Sequence, residues 1–403
     1  MKFIIILGDG MSDEPIAEYG GKTPLQMAQK PHIDWLAKNG RSGLFYTVPP
    51  TMHPGSEIAN MAVLGYDVEK VFEGRGVLEA ASMGVTLQPG DLALRCNLLT
   101  IENEKIKNHS AGHISNEEAA ELIQFLNEKL GDETVRFYSG VSYRHLLVIK
   151  NGIKFIDCTP PHDVPGTPFQ KVLPKSKTGE TEPTTNLITR LILESQQLLE
   201  NHPVNMNRRN AGKEPANSIW PWSPGYKPAM PTLKEMFGIE KSAVISAVDL
   251  IQGIGVYAGM DVIKVEGATG LYNTNYEGKA QAAVEALKTC DLVYLHIEAS
   301  DEAGHEGDVE LKTKTIEFLD KRVVKYVIEE TQKFNEPVAI AILPDHPTPC
   351  VLKTHTRDAV PFTIYYPGIQ PDAVAVYDEF AVVNGDCGTL KGDEFIRLFL
   401  QKL

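Results

Sequence analysis

The chain has 403 residues, a formal net charge of -14 and 42% hydrophobic residues. That length supports two or three domains around a large core, and the acidic balance leaves no basic stripe to meet a nucleic-acid backbone. No apolar run approaches the length of a membrane span. The five cysteines are odd in number and scattered without CxxC spacing, so they read as reduced core thiols. The apolar run at the N-terminus is too short for a secretory signal, and the expected location is the cytoplasm.

In chain order, Lys2-Phe-Ile-Ile-Ile-Leu7 reads as a buried strand that runs straight into Gly8-Asp9-Gly10. Short continuous apolar runs of this kind fit parallel strands covered on both faces. Asp9 is either a turn residue between glycines or a carboxylate presented at the end of a strand. Residues 31–39 read as a helix closed by Gly40, and 48–55 as the loop that delivers Ser56 to a helical segment ending near Leu64. Ser56 has two readings. It can be a helix N-cap, or a hydroxyl beside free backbone N–H groups and the positive end of the helix dipole, a place that favours an incoming phosphate. Residues 66–76 read as a charged turn ending in Gly74-Arg75-Gly76, where a cation between two glycines can approach a phosphate closely or form a surface ion pair.

From about Val85 the texture changes. Residues 92–101 and 153–158 read as strands, Ser115-Asn-Glu-Glu118 as a capping box opening a helix to Leu130, 136–150 as two strand-like segments, and 186–201 as a further helix. This is an α+β module, residues 86–232, inserted between 1–85 and 233–403. Two of its loops look functional. Residues 158–166 pair His162 with Asp163 among prolines that restrain the backbone, and 201–231 carries Arg208, Arg209, Asn217, Trp220 and Trp222 without evident regular structure.

The remaining stretch holds the densest chemistry. Residues 242–248 read as a strand, 278–288 as a helix, 309–334 as one long helix with a core-facing stripe, 360–366 as a strand, and 395–400 as the closing element. The apolar run 292–297 leads into Ser300-Asp301 and His305, the run 338–343 leads into Asp345-His346, and His355 follows. Open α/β sheets place ligands beyond the carboxyl ends of their strands, so Asp9, Asp301 and Asp345 are expected at one rim. Mixed carboxylate and imidazole donors suit divalent ions such as Zn²⁺ or Mn²⁺. Glu57, Glu298 and Glu302 lie near these donors and are expected to be solvated.

Gly8-Asp9-Gly10-Met11, Gly55-Ser56-Glu57, Gly74-Arg75-Gly76, Ser300-Asp301-x-x-Gly304-His305, Asp345-His346 and Thr354-His355-Thr356 together resemble the 2,3-bisphosphoglycerate-independent phosphoglycerate mutases, in particular their archaeal-type branch within the alkaline phosphatase superfamily. The resemblance spans almost the whole chain. It implies an α/β fold with an alkaline-phosphatase-like core, a mainly parallel sheet flanked by helices, and an inserted α+β domain. It further implies two divalent metal ions, Mn²⁺ first with Zn²⁺ or Mg²⁺ next. Asp301, His305 and His355 would hold one; Asp9, Ser56, Asp345 and His346 would hold the other. Ser56 would be the phosphoryl acceptor in the interconversion of 3-phosphoglycerate and 2-phosphoglycerate. Arg75 resembles the arginine that follows the nucleophile, and Arg95 and Arg144 stand as phosphate or carboxylate ligands.

The insert departs from the pattern. Arginine-rich stretches of the family are replaced by Asn108-His109-Ser110-Ala111-Gly112-His113, and an Arg-Gly-Ala-Gly element by Trp222-Ser223-Pro224-Gly225. Losing guanidinium groups removes bidentate anion clamps. Some relatives with such an insert have been proposed as homoserine kinases. An ATP-dependent alcohol kinase, with His113, Trp220 and Trp222 lining its pocket, is therefore the alternative, and a small-molecule phosphatase is a further one. The expected partner is a small phosphorylated substrate, with no nucleic acid and no membrane. No heptad pattern sets an oligomeric state.

Overall fold

The computed structural model describes residues 1–401, which divide into two compact units. One is made of Met1–Phe72 and Met230–Leu403, the other of Glu73–Ala229.

The first unit is built on an eight-stranded sheet. Its centre is the strand Lys2–Gly8, flanked by Leu292–Ile297 and Val338–Leu343, both parallel to it. Ser242–Ile245 and Asp261–Val262 extend the parallel part on one side, while Val360–Tyr365 and Arg41–Tyr46 add antiparallel pairings on the other. The three central strands are almost wholly buried, which is why they are continuous apolar runs rather than alternating ones. Register fixes the rim. Gly8 pairs with Ile297 and Leu7 with Leu343, so the residues after all three strands emerge at one edge.

Helices cover the sheet. Tyr276–Leu287 and Pro31–Asn39 bury their apolar faces in one core with the sheet. The expected long helix after His305 is instead Val309–Phe318 and Lys325–Thr331, joined by a π-helical stretch, Leu319–Val324. Asp320 in that stretch accepts hydrogen bonds from the backbone N–H groups of His32 and Ile33, at 2.8 and 2.7 Å. It thereby satisfies donors left open at the start of the Pro31–Asn39 helix. Periodicity of apolar residues carries through a π segment, which is why the sequence reads as one helix.

The second unit has its own core. Asp91–Glu102 pairs antiparallel with Arg144–Lys150, Lys105–Asn108 and Ser218–Gly225, and Val135–Val141 pairs with Arg144–Lys150. The helices Asn116–Leu130 and Glu182–Glu200 contribute their apolar stripes to the same core, and the Ser115 capping box forms as expected. Three expectations are corrected here and just before it. Residues 66–76 hold a short helix, Val68–Val71, and Arg75 opens another, Arg75–Ser82. The strand expected at 153–158 shrinks to Ile156–Asp157. The stretch 201–231 is largely ordered, as a helix, Pro203–Asn210, and the strand Ser218–Gly225. Pro221 and Pro224 suggested a loop, but this strand pairs only with Asp91–Glu102, and an edge position tolerates prolines that cannot donate.

None of the described helices is long and apolar enough to cross a membrane. All five cysteines are free.

Candidate active site

Asp9 leaves the central strand as Gly8 ends it, and its backbone N–H bonds to the Ile297 carbonyl at 2.9 Å. The turn that follows depends on Gly10, whose φ is +60°. A Cβ there would stand 2.7 Å from the Asp301 Cα, a contact that backbone does not yield to. Asp301 and His305 sit on the helix Ala299–Glu306, one turn apart, so both point from one face. Asp345 and His346 follow the strand Val338–Leu343 directly. These groups meet. His305 Nε2 lies 3.2 Å from Asp301 Oδ2 and 2.9 Å from His355 Nε2, and His355 Nε2 lies 3.4 Å from Asp301 Oδ1. His346 Nε2 lies 3.3 Å from Asp345 Oδ2 and 3.7 Å from Asp9 Oδ1. The imidazoles of His346 and His355 stack at 3.8 Å between centroids.

Ser56 joins them. The helix Ser56–Val63 begins with Ser56 itself, its N-cap is Gly55, and no side chain caps it. Ser56 is therefore not the N-cap, and its Oγ lies 3.1 Å from His346 Nε2. The loop before it is tied down from the C-terminal side: Arg357 Nε donates to the Met52 carbonyl at 2.7 Å, and His355 Nδ1 lies 3.4 Å from the Pro54 carbonyl. Residues Glu57 to Val63 are all buried, so Ser56 is the one residue of its helix left partly open.

The site brings buried carboxyl and imidazole groups close together. Burial, with Asp345 and Asp301 adding to it, drives the Asp9 carboxyl well above its usual range. Burial acts the same way on Asp301, but hydrogen bonds from His305 and His355 outweigh it and hold this carboxyl well below the usual range. The same contact raises His305 to about 9. Burial lowers His346. Asp9 Oδ1 is buried and has no hydrogen-bond partner among the described residues. An unpartnered buried carboxylate oxygen is costly. Asp301, His346 and His355 offer three donor atoms within 4.8 Å of one another, and so do Asp9, Asp345 and His346. The donor chemistry and the orphaned oxygen both fit divalent cations.

Around the donors stand residues the sequence did not single out. His296, in the buried strand Leu292–Ile297, lies 3.0 Å from Asp9 Oδ2 through Nε2 and 3.1 Å from Ser246 Oγ through Nδ1, and burial lowers it to about 4. Thr348 Oγ1 donates to Asp301 Oδ1 and Ser300 Oγ to the Asp9 carbonyl. Lys312 is fully buried, and its ammonium donates to Asp13 Oδ2 and to the Ser12 and Thr348 carbonyls, tying the loop after Asp9 to the loop after His346. A lone histidine inside an otherwise apolar run was the available signal for His296. Lys312 gave none, since a lysine on a helix is ordinarily solvated. Of the acids near the donors, Glu57 and Glu298 are corrected too, while Glu302 is half-buried. Glu57 is fully buried, with His53 Nε2 3.0 Å from Oε1. Burial, then Glu302 and Asp301, push Glu298 to about 8.

The second unit gathers the other expected residues into a cluster of rings and cations. The Arg95 guanidinium lies 5.0 Å over Trp222 and pairs with Glu79 at 3.1 Å. The Arg144 guanidinium lies 5.5 Å over Tyr143, whose ring also meets His109 at 5.7 Å and His113 at 6.1 Å. His162 packs between His109 and Trp222. Burial lowers Arg95, with Glu79 opposing it and Arg144 and Arg75 adding to it. Burial also lowers His162, with Asp163 opposing it and His109, Arg95 and Arg75 adding to it. His109, which faces both His113 and His162 in charge or contact, joins the expected set. Asp163 is largely exposed, 3.5 Å from His162. Trp220 is a correction. Only 1% exposed, it belongs to the core, and its indole N–H donates to the Thr159 carbonyl, leaving no face for a ligand.

A family model described as 2,3-bisphosphoglycerate-independent phosphoglycerate mutase matches residues 37–205. The chain is 50% identical to the 2,3-bisphosphoglycerate-independent phosphoglycerate mutase of Methanosarcina mazei over 403 residues, all of both chains. It is also 50% identical to a probable enzyme of the same name from Geobacter sulfurreducens, over 94% of each. Among solved structures it resembles a protein from Pyrococcus horikoshii, with a TM-score of 0.84 and 30% identity over 99% of this chain and 96% of that one. It also resembles the cofactor-independent phosphoglycerate mutase of Thermoplasma acidophilum, with a TM-score of 0.70 and 27% identity over the whole of both.

Proposed function

The chain belongs to the 2,3-bisphosphoglycerate-independent phosphoglycerate mutases, and from that membership and the setting of Ser56 we infer that it interconverts 3-phosphoglycerate and 2-phosphoglycerate through a phosphoserine at Ser56. The observation that carries the mechanism is the Ser56 hydroxyl, 3.1 Å from His346 Nε2 at the open start of a helix, beside two groups of metal-binding donors.

Two divalent ions, Mn²⁺ the first choice, would be held by Asp301, His305 and His355 and by Asp9, Ser56, Asp345 and His346; bound there, they neutralise non-bridging phosphoryl oxygens and lower the pKa of the serine hydroxyl. Ser56 Oγ gives up its proton and attacks the phosphorus of 3-phosphoglycerate, the bond to the substrate's 3-oxygen breaks, and that oxygen takes up a proton. The start of the Ser56–Val63 helix presents N–H groups and the positive end of its dipole to the transferred group. The 2-hydroxyl of the glycerate then attacks the phosphoserine and frees Ser56, so the reaction consumes neither water nor nucleotide. Arg75 is the proposed anchor for the phosphate, Arg95 and Arg144 for the phosphate or carboxylate, and His109, His113, His162 and Asp163 are proposed to complete the substrate site. The gathering of Arg95, Arg144 and the three histidines around Trp222 and Tyr143 supports that role.

The full-length relatives carry the mutase name, and nothing favours the kinase or phosphatase alternatives. The free cysteines suit the reducing cytoplasm we propose as its location. The test is conversion of 3-phosphoglycerate to 2-phosphoglycerate by Mn²⁺-loaded protein without added bisphosphoglycerate. We expect serine-dependent turnover, with Ser56→Ala retaining metal and losing conversion. Wild-type turnover by that variant would discard the nucleophile.

A further inference from the structure

Asn60 lies one helical turn after Ser56 and is fully buried. Both hydrogens and the oxygen of its amide are engaged. Nδ2 donates to the Ser56 carbonyl at 2.8 Å and to Asp345 Oδ2 at 2.9 Å, and Oδ1 accepts from the Tyr294 hydroxyl at 2.6 Å. A flipped amide would set Oδ1 against a carbonyl and a carboxylate, so the surroundings admit one orientation. Tyr294 holds it there from the strand Leu292–Ile297, itself buried to 1% exposure.

The consequence falls on Asp345. Its Oδ1 accepts from the backbone N–H groups of Gly10 and His346, at 3.1 and 2.8 Å, and Oδ2 accepts from Asn60. Asp345 is thus oriented at both oxygens, whereas Asp9 beside it keeps Oδ1 without a hydrogen-bond partner among the described residues. The same amide that orients Asp345 also holds the carbonyl of the residue bearing the hydroxyl. One buried group therefore fixes the distance between a carboxylate donor and Ser56. Orientation of donors by such outer contacts governs affinity and activity at metal centres.

We propose that Asn60, held by Tyr294, is a positioning residue that locks the Asp345 carboxylate and Ser56 into one geometry. The inference rests on the assignment of Asp345 and Ser56 above. It is tested by titrating metal-free protein with Mn²⁺ calorimetrically and by measuring kcat and KM for 3-phosphoglycerate, in wild type, Asn60→Leu and Tyr294→Phe. Asn60→Leu should bind one ion as wild type does and the other about ten- to a hundredfold more weakly. Its kcat should fall by a similar factor while KM stays within about threefold. Tyr294→Phe keeps the ring and removes only the hydroxyl, and should show the same pattern to a smaller degree.

Two ions bound with unchanged affinity in both variants would overturn the proposal. So would equal weakening at both sites with a lowered melting temperature, the mark of a merely structural residue. If Asn60→Leu does not fold, Tyr294→Phe decides alone on the same criteria. A wild type that fails to take up two ions overturns the site assignment and this proposal with it. A wild type that takes up two, with variants that match it, overturns the proposal alone.

Discussion

A serine hydroxyl in water is a weak nucleophile, and Ser56 differs from an ordinary surface serine by its company. It starts a helix whose other residues are buried, and it touches His346, which stands between the two donor groups. His305 contributes from one side only. Its contacts run to Asp301, to His355 and, through Nδ1, to the Lys353 carbonyl at 3.1 Å. Replacing His305 by alanine should therefore remove one Mn²⁺ of two by elemental analysis, leave the fold intact by circular dichroism, and lower kcat at least about tenfold. Retention of both ions would reject His305 as a ligand.

At the scale of elements, the strands place the chemistry. Three parallel strands in register bring Asp9, Asp301 and Asp345 to one rim, and this much was legible because a buried parallel strand is a plain apolar run followed at once by its polar end. The polar supports were not legible. Asn60, Lys312 and Glu57 look like surface residues in sequence, and only tertiary packing removes them from water. In the second unit, the helix and edge strand within 201–231 were hidden by prolines, and the core role of Trp220 by the habit of reading aromatic loops as binding surfaces. The strand Arg144–Lys150 carries a further consequence. His145 is buried to 1% exposure, accepts from the Gly140 N–H through Nδ1 at 3.1 Å, and is pushed down to about 3 by burial. Its folded pKa lies below the ordinary value near 6.5, so below that pH the unfolded chain takes a proton that the folded one refuses. Its stabilising contribution is complete above about pH 6.5 and is lost as pH falls toward 3, at up to roughly 1.4 kcal/mol per pH unit. Urea denaturation of His145→Gln between pH 6.5 and 4 should show a shallower pH dependence than wild type. Equal slopes would remove His145 from the account.

The whole molecule divides into two compact units. The first is a scaffold of parallel strands that converges acidic and imidazole donors on a serine. The second gathers arginine and imidazole side chains among aromatic rings. Full-length similarity to named mutases gives phosphoryl transfer within one substrate molecule, and the route through Ser56 is our proposal. The most direct measurement is to quench Mn²⁺-loaded protein during turnover of 3-phosphoglycerate and locate any covalent phosphate by peptide mass spectrometry. The account predicts a phosphoryl group on the peptide carrying Ser56, absent from Ser56→Ala. Conversion that proceeds with that peptide unmodified, or with the phosphate on another residue, would contradict it.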